Sequence, residues 1–451
     1  MICNRWLFKL SLACIYCLPV SSLQADNWGH WRGPTGNGVA TNATPPTEWS
    51  DTKNVKWKVE IPGKGSGSPV VWNDQVFVVT AVPLNAAANG AQPTPAAQPP
   101  VASGGRRGRP AGNSGGGAPS KFQFKILCFD RESGKLQWEQ TAIEAIPHEG
   151  THSTNGFASA SPCTDGEHLI VSFGSRGLYC YSMAGTLKWK RNDFGQMICR
   201  NGFGEGSSPT IAGDLVIFPW DHEGPSALYA LNKATGETVW KTDRDEPTNW
   251  STPLVVEHEG QPQVIMNGQN YARAYDLKTG TELWRCSGQT QRPCTSAVAD
   301  AGMVYVGSGH QGAFLGAFRL GGRGDIQGTE NVAWTKNRST PDIASPLLTA
   351  ERLYFLKEKT GILTCVDPTT GESHFSDARL PRLGMIYASP IAAGGFVFVT
   401  DREGHTVVLK DANKLEIVST NSVGETVDAT LAPVGRELFI RGEKHLFCIA
   451  E

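Results

Sequence analysis

Neither sign of charge prevails in this chain, in which 41 Lys and Arg stand against 43 Asp and Glu over 451 residues. The balance excludes the basic footprint of a nucleic-acid binder and gives an anionic membrane surface nothing to attract. Long apolar runs are also scarce. The uncharged stretch Leu10–Val20 follows Arg5 and Lys9 and precedes small and polar residues ending at Gln24-Ala25. It is shorter than the roughly 20 apolar residues a membrane span needs, and its layout predicts a secretory signal peptide over residues 1–25, cleaved after Ala25. Cys14 and Cys17 match a lipoprotein signal poorly, so a soluble periplasmic or secreted protein with no transmembrane segment is expected. The Gly-rich runs at Gly63 and Gly202 lie between no strand and helix, which excludes a phosphate-binding loop or dinucleotide fingerprint.

What the chain does have is a recurring phrase: an apolar strand, a tight turn with Gly, then a strand ending in Trp. It reads ILCFDRESGKLQW to Trp138, LYCYSMAGTLKW to Trp189, LYALNKATGETVW to Trp240 and ARAYDLKTGTELW to Trp284. With Trp57 and Trp334 the spacings are 81, 51, 51, 44 and 50 by subtraction, and weaker copies place Phe375 and Ile417 in the Trp position. A period of this size with alternating strands marks a four-stranded propeller blade. A second phrase, Ser-Pro or a relative of it, opens each unit at Ser66, Ala158, Glu205, Asn249, Cys294, Ile343, Tyr387 and Asp428. Eight openings predict an all-β, eight-bladed β-propeller over 49–451, behind an N-terminal extension at 26–48.

The last opening lacks an outer strand, and NVKWKVEIP around Trp57 is a strand with no opening. It is expected to complete the eighth blade and remove the open edge. Turn glycines such as Gly134 and Gly236 supply a positive φ, and the Trp residues are expected to cement adjacent blades. Residues 83–120, rich in Ala, Pro and Gly around Arg106, are expected to be a disordered hairpin insertion in the first blade.

Eight of the eleven cysteines follow the signal peptide. Cys128, Cys180, Cys365 and Cys448 fall where LYALN has Ala230, so they read as small buried residues. Cys286 and Cys294, flanking one connector, are the disulfide candidates.

The phrases LYALNKATGETVW and AYDLKTGTELW, with the SSP and ASP openings, resemble the pyrroloquinoline-quinone (PQQ) repeat family. That family includes the quinoprotein alcohol dehydrogenases, the outer-membrane assembly lipoprotein BamB and many secreted proteins. NWGHWRGPTGNG and GRGDIQGTENVAW look like the secreted branch. The resemblance implies PQQ with Ca²⁺ as a candidate cofactor pair, or a BamB-like assembly role. The dehydrogenases carry an adjacent Cys-Cys pair over the cofactor and a Glu/Asn/Asp set for Ca²⁺. No two cysteines are adjacent here, so no metal or catalytic residue is carried over and an enzyme is not the favoured reading.

His148-Glu149-Gly150-Thr151-His152 spells HExxH, but zinc-protease chemistry needs a helix to set both histidines on one face. Pro147 and Gly150 deny it one, and HEG recurs at His222 and His258 as turn material. Asp221-His222-Glu223 reads as a solvated turn. The residues favoured for function lie in the connectors that lead to the channel mouth: His152, Asn155, Arg200, Glu205, Trp250, Arg292, Arg382, Tyr387 and Asp428, with His148, Asn201, Asn249 and Asp342 nearby. They either hold a planar ligand or a cation, or satisfy one another around a water-filled channel. The expected protein is a monomeric binding or scaffold module for a small molecule or a protein partner.

Overall fold

The computed structural model describes residues 27–84 and 120–451; the signal-peptide reading and most of the insertion fall outside them. Eight sheets, each built on four antiparallel strands and two of them with a short parallel strand added at one edge, are arranged as the blades of a propeller. The first blade holds Val70–Trp72, Gln75–Pro83, Phe122–Asp130 and Leu136–Ala145. Its second and third strands pair as far as Pro83 with Phe122, so the insertion leaves from the tip of a complete hairpin. The eighth blade is closed as expected: Val55–Glu60 pairs antiparallel with His445–Ile449, setting Trp57 opposite Cys448.

The Ser-Pro openings have a common task. Ser68 N–H donates to the Ser161 hydroxyl, Ser161 to Ser208, Ser208 to Thr252 and Thr252 to Ser296; the series runs on through Ser345, Ser389 and Thr430 and returns from Thr430 N–H to Ser68. These eight bonds of 2.8–3.2 Å form an unbroken circle, one per blade, and every member is buried. Each blade's first strand has a backbone donor facing its neighbour, and a hydroxyl is the shortest side chain that can satisfy it.

The Trp phrase fastens the blades farther out. The indoles of Trp57, Trp138, Trp189, Trp240 and Trp334 donate to the turn carbonyls of Arg131, Met183, Lys233, Leu277 and Pro368 in the next blade. At the tip of each of those turns stands a glycine, Gly134, Gly185, Gly236, Gly280 or Gly371, with φ between 70° and 81°. A Cβ there would lie 2.5–2.8 Å from the indole, so glycine is required by both the backbone and the neighbour. Cys128, Cys180, Cys365 and Cys448 lie opposite Trp138, Trp189, Phe375 and Trp57, as Ala230 lies opposite Trp240.

The sixth blade has Phe375 in place of the Trp, and two blades depart further from the pattern. In the seventh, the register places Ser419, not Ile417, in the Trp position, because the turn between Lys410 and Glu416 is one residue longer than that between Asn232 and Glu237. Trp49 of the N-terminal extension takes over there: it is buried and stacks 6.3 Å from Phe398, the partner of Val408. In the fifth blade, residues 320–331 replace the tight turn, and Gly324–Asp325 adds a parallel strand beside Trp284 and Arg285. Arg323 stands just before this edge strand and donates to Gln261.

The extension also crosses the channel end away from the connectors. Trp28 bridges Val71, Gly29 accepts from Thr164 N–H, and Val39–Ala40 pairs with Ala392–Ala393. Between them the buried Arg32 guanidinium donates to Pro346, Pro390 and Asn37 carbonyls. It forms a plug.

Two stability changes follow. Trp49→Ala should cost about 3–5 kcal/mol, the usual loss for a large buried aromatic. Ser345→Ala leaves the Ser296 N–H without its acceptor and should cost about 1–3 kcal/mol. Urea unfolding of the purified protein measures both; an unchanged midpoint for Trp49→Ala would contradict its structural role.

Candidate functional site

Each connector arrives at the mouth two residues ahead of its ring hydroxyl, so the positions of Ser66, Ser159, Gly206, Trp250, Cys294, Ile343, Tyr387 and Asp428 are equivalent. All eight line one cavity of about 410 Å³, with ring hydroxyls among its lower lining residues. Trp31 of the plug also lines it and lies 5.6 Å from the Arg32 guanidinium. The channel is thereby a cup rather than a through-passage.

Of the nine candidates, His152, Asn155, Trp250, Arg292, Tyr387 and Asp428 line this cup, together with Asp342. Arg200, Glu205 and Arg382 do not, which corrects the expectation for those three. Arg200 turns outward to pair with Glu223 at 3.2 Å and to donate to Gln269. The Glu205 carboxylate is drawn behind the wall by Arg176 at 2.7 Å and by the backbone and hydroxyl of Ser175. Arg382 stands exposed with a φ of 63°. Phe203, His310, Lys359 and Trp31 line the cup but were not among the candidates. His310 and Lys359 come from hairpins within blades, and the extension carrying Trp31 has no repeat to place it. Phe203 had a sequence signal in the NGF shared by Asn155 and Asn201.

The charges in the cup are largely paired. Asp428 accepts two bonds from Arg402, at 2.6 and 3.2 Å, and Asp342 lies 3.3 Å from Lys359 and 3.9 Å from His310. Arg402 sits 4.7 Å from the Tyr387 ring and Arg292 5.2 Å from that of Phe203, while the Arg292 guanidinium also meets His310. Burial, and then Lys359, Arg402 and Arg292, lower the pKa of His152. His310 is lowered by burial and then by Arg292, with Asp342 opposing. Asn155 organises the loops, its amide donating to Phe203 O and its oxygen accepting from Gly156 N–H.

This donor set does not suit a Ca²⁺-quinone pair. Both carboxylates lining the cup already face cations, and the Asn155 oxygen is engaged by backbone, so no oxygen-rich cradle converges as calcium requires. The clusters of three or more His, Cys or acidic groups among the described residues, His148/Glu149/Glu205 and Asp401/Glu403/His405, lie outside it. In the first, His148 meets Met197 O and Glu149 accepts from Cys199 N–H in a loop, not a helix. Asp221 and His222 are buried rather than solvated; Asp221 takes two bonds from the buried Arg244.

A family model described as outer membrane protein assembly factor BamB matches residues 123–377. Subunit 1 of the cytochrome c methanol dehydrogenase of Methylorubrum extorquens is 31% identical over 87 residues, 16% of this chain and 14% of that protein. The chain thus covers only a small part of its curated relative. The quinohemoprotein alcohol dehydrogenase of Comamonas testosteroni superposes with a TM-score of 0.60 at 11% identity, covering 95% of this chain and 81% of the other. BamB from Moraxella catarrhalis gives 0.49 at 14% identity, covering 72% and 91%.

The expected Cys286–Cys294 bridge is absent; both thiols are free. Cys286 ends the outer strand Glu282–Cys286 and approaches Gln327, whereas Cys294 lines the cup. The connector carries them apart. Burial raises the Cys294 pKa to about 12, so its alkylation should be slow at neutral pH. It should still precede that of the other seven described cysteines, all of them buried. Peptide mapping under non-reducing conditions checks this, and a linked 286–294 pair would contradict it.

Proposed function

The chain belongs to the family described as outer membrane protein assembly factor BamB, and on that premise we propose that it is an extracytoplasmic binding module whose ligand occupies the cup at the propeller mouth. The observation that carries the reading is convergence. Six candidate residues from five connectors, His152 to Asp428, line one cavity closed below by Trp31. A concave site with aromatic walls and a few polar groups is the usual form of a small-molecule site, and Trp250 and Tyr387 supply the aromatic surface. The leader-like residues 1–25 support export, and no described helix is long and apolar enough to cross a membrane.

A protein partner is the second reading, favoured by the family description and by Leu136, Leu187, Val239 and Ile417, which stand exposed on outer strands. A quinoprotein dehydrogenase is the third, supported by the 87-residue match and opposed by the paired carboxylates.

Screening the mature protein against planar small molecules by ligand-observed NMR should give binders. Their affinity should fall about tenfold or more in Trp250→Ala/Tyr387→Ala, as expected when two aromatic contacts are removed. Binding unchanged in that variant would defeat the cup as the site. Addition of PQQ and Ca²⁺ should leave the protein unable to reduce a dye with alcohols, and turnover would establish the dehydrogenase reading. Co-purification with an outer-membrane complex would establish the partner reading.

A further inference from the structure

We propose that the chain has a second binding surface, independent of the cup: a groove between the fifth and sixth blades that takes an acidic oligosaccharide, a hydroxylated chain bearing sulfate or carboxylate. The groove has a volume of about 290 Å³ and is walled by residues 335–339, which lead out of the fifth blade, and by the facing side of the sixth. Lys336 and Arg338 line it. Lys357 and Arg379 stand over it. Ile362 takes a bond from Lys357 N–H and pairs with Arg379, and it lies two residues from the lining Thr364 on one strand, so this row shares the groove's face. On other blades a surface lysine meets a glutamate, as Lys121 does Glu144 and Lys410 does Glu416. None of these four cations has an ion pair or a side-chain hydrogen bond among the described residues. Two carboxylates are near, Asp377 in the lining and the exposed Glu358 beside Lys357, which leaves an excess of positive charge.

The rest of the lining is mostly polar. Thr335, Ser373 and Ser376 have hydroxyls with no partner among the described residues, and Thr364 accepts from Asp377 N–H, which frees its own proton. A bulge in the outer strand sets this up. Phe375 stays opposite Cys365 while Ala378 falls opposite Leu363, with Asp377 at a φ of 50°. Ser376 and Asp377, which a regular strand would send to opposite faces, thereby line the groove together. Cations set among hydroxyls match a partner with both anionic groups and hydroxyls along its length. The two other common polyanions fit less well. A nucleic-acid strand needs exposed rings on which to stack its bases, and the one aromatic ring of the lining, Phe355, is only 1% exposed. An anionic lipid brings acyl chains, and none of the exposed large apolar side chains lines the groove.

Isothermal titration of the purified protein with a heparin hexasaccharide, and with maltohexaose as a neutral counterpart, tests the proposal. The heparin fragment should bind about tenfold or more tightly than maltohexaose, and less tightly as salt is raised. Arg338→Gln/Arg379→Gln should weaken it by about tenfold, whereas Asp377→Asn, which removes a negative charge from the lining, should strengthen it several-fold. All three side chains are exposed, so the fold does not depend on them. The folded Trp250→Ala/Tyr387→Ala variant should bind the fragment as the natural chain does, and loss of binding there would move the fragment to the cup and overturn the groove. Equal affinity for the two sugars, or a heparin affinity that neither groove variant alters, would also overturn it. Tighter binding of a single-stranded oligonucleotide of equal charge, or of phosphatidylglycerol vesicles, would overturn the oligosaccharide as the partner.

Discussion

The structure depends on the closed circle of hydrogen bonds in which each blade's first Ser or Thr N–H donates to the hydroxyl of the next. A propeller brings eight inner strands together edge-on, too far apart to form one continuous sheet, and each edge has a donor that would otherwise be buried unsatisfied. One hydroxyl per blade, accepting from the blade before it, meets that demand all the way round the ring. It also fixes how the connectors reach the axis, since the residue two places earlier in every blade must then line the mouth. The cup's wall is thus set by the ring beneath it.

Farther from the axis the blades are joined by a second device, a Trp against a glycine turn. Two of its exceptions are instructive because each is compensated. Where the seventh blade has Ser419, the extension supplies Trp49. Where the fifth blade lacks the tight turn, its longer loop lays a parallel strand along Trp284 and buries Ile326 against it. Each solution covers the same apolar surface from a different part of the chain.

The fold was largely legible in the sequence because its determinants are local: the turn glycine, the Trp and the Ser-Pro opening all lie within one blade's own residues. The register of the seventh blade was not, since one extra turn residue moves the Trp position from Ile417 to Ser419 without disturbing the apolar pattern. The site was legible where position alone decides. Trp250, Tyr387 and Asp428 line the cup because their place in the opening puts them there. Glu205 and Arg200 lie in equally suitable connectors, but Arg176 and Glu223 draw their charges elsewhere. Pairing of that kind joins distant segments and leaves no local trace. The proposed Cys286–Cys294 pair failed for a related reason, as nearness in sequence does not reveal that a connector runs the depth of a blade.

The closing strand Val55–Glu60 and the circle's last bond, from Thr430 to Ser68, join residues 362 or more apart in sequence. Each of blades one to seven builds its four-stranded sheet within its own stretch of chain, apart from short strands added at the edges. Topology with so long a final contact separates assembly into a fast part and a slow one. Blades one to seven need only their own stretches of chain, while the strand Val55–Glu60 must wait for its partner His445–Ile449. A strand that precedes the first blade is therefore committed after the seventh, and the cup has neither its complete ring nor its eighth blade until Thr430 and His445–Ile449 are in place.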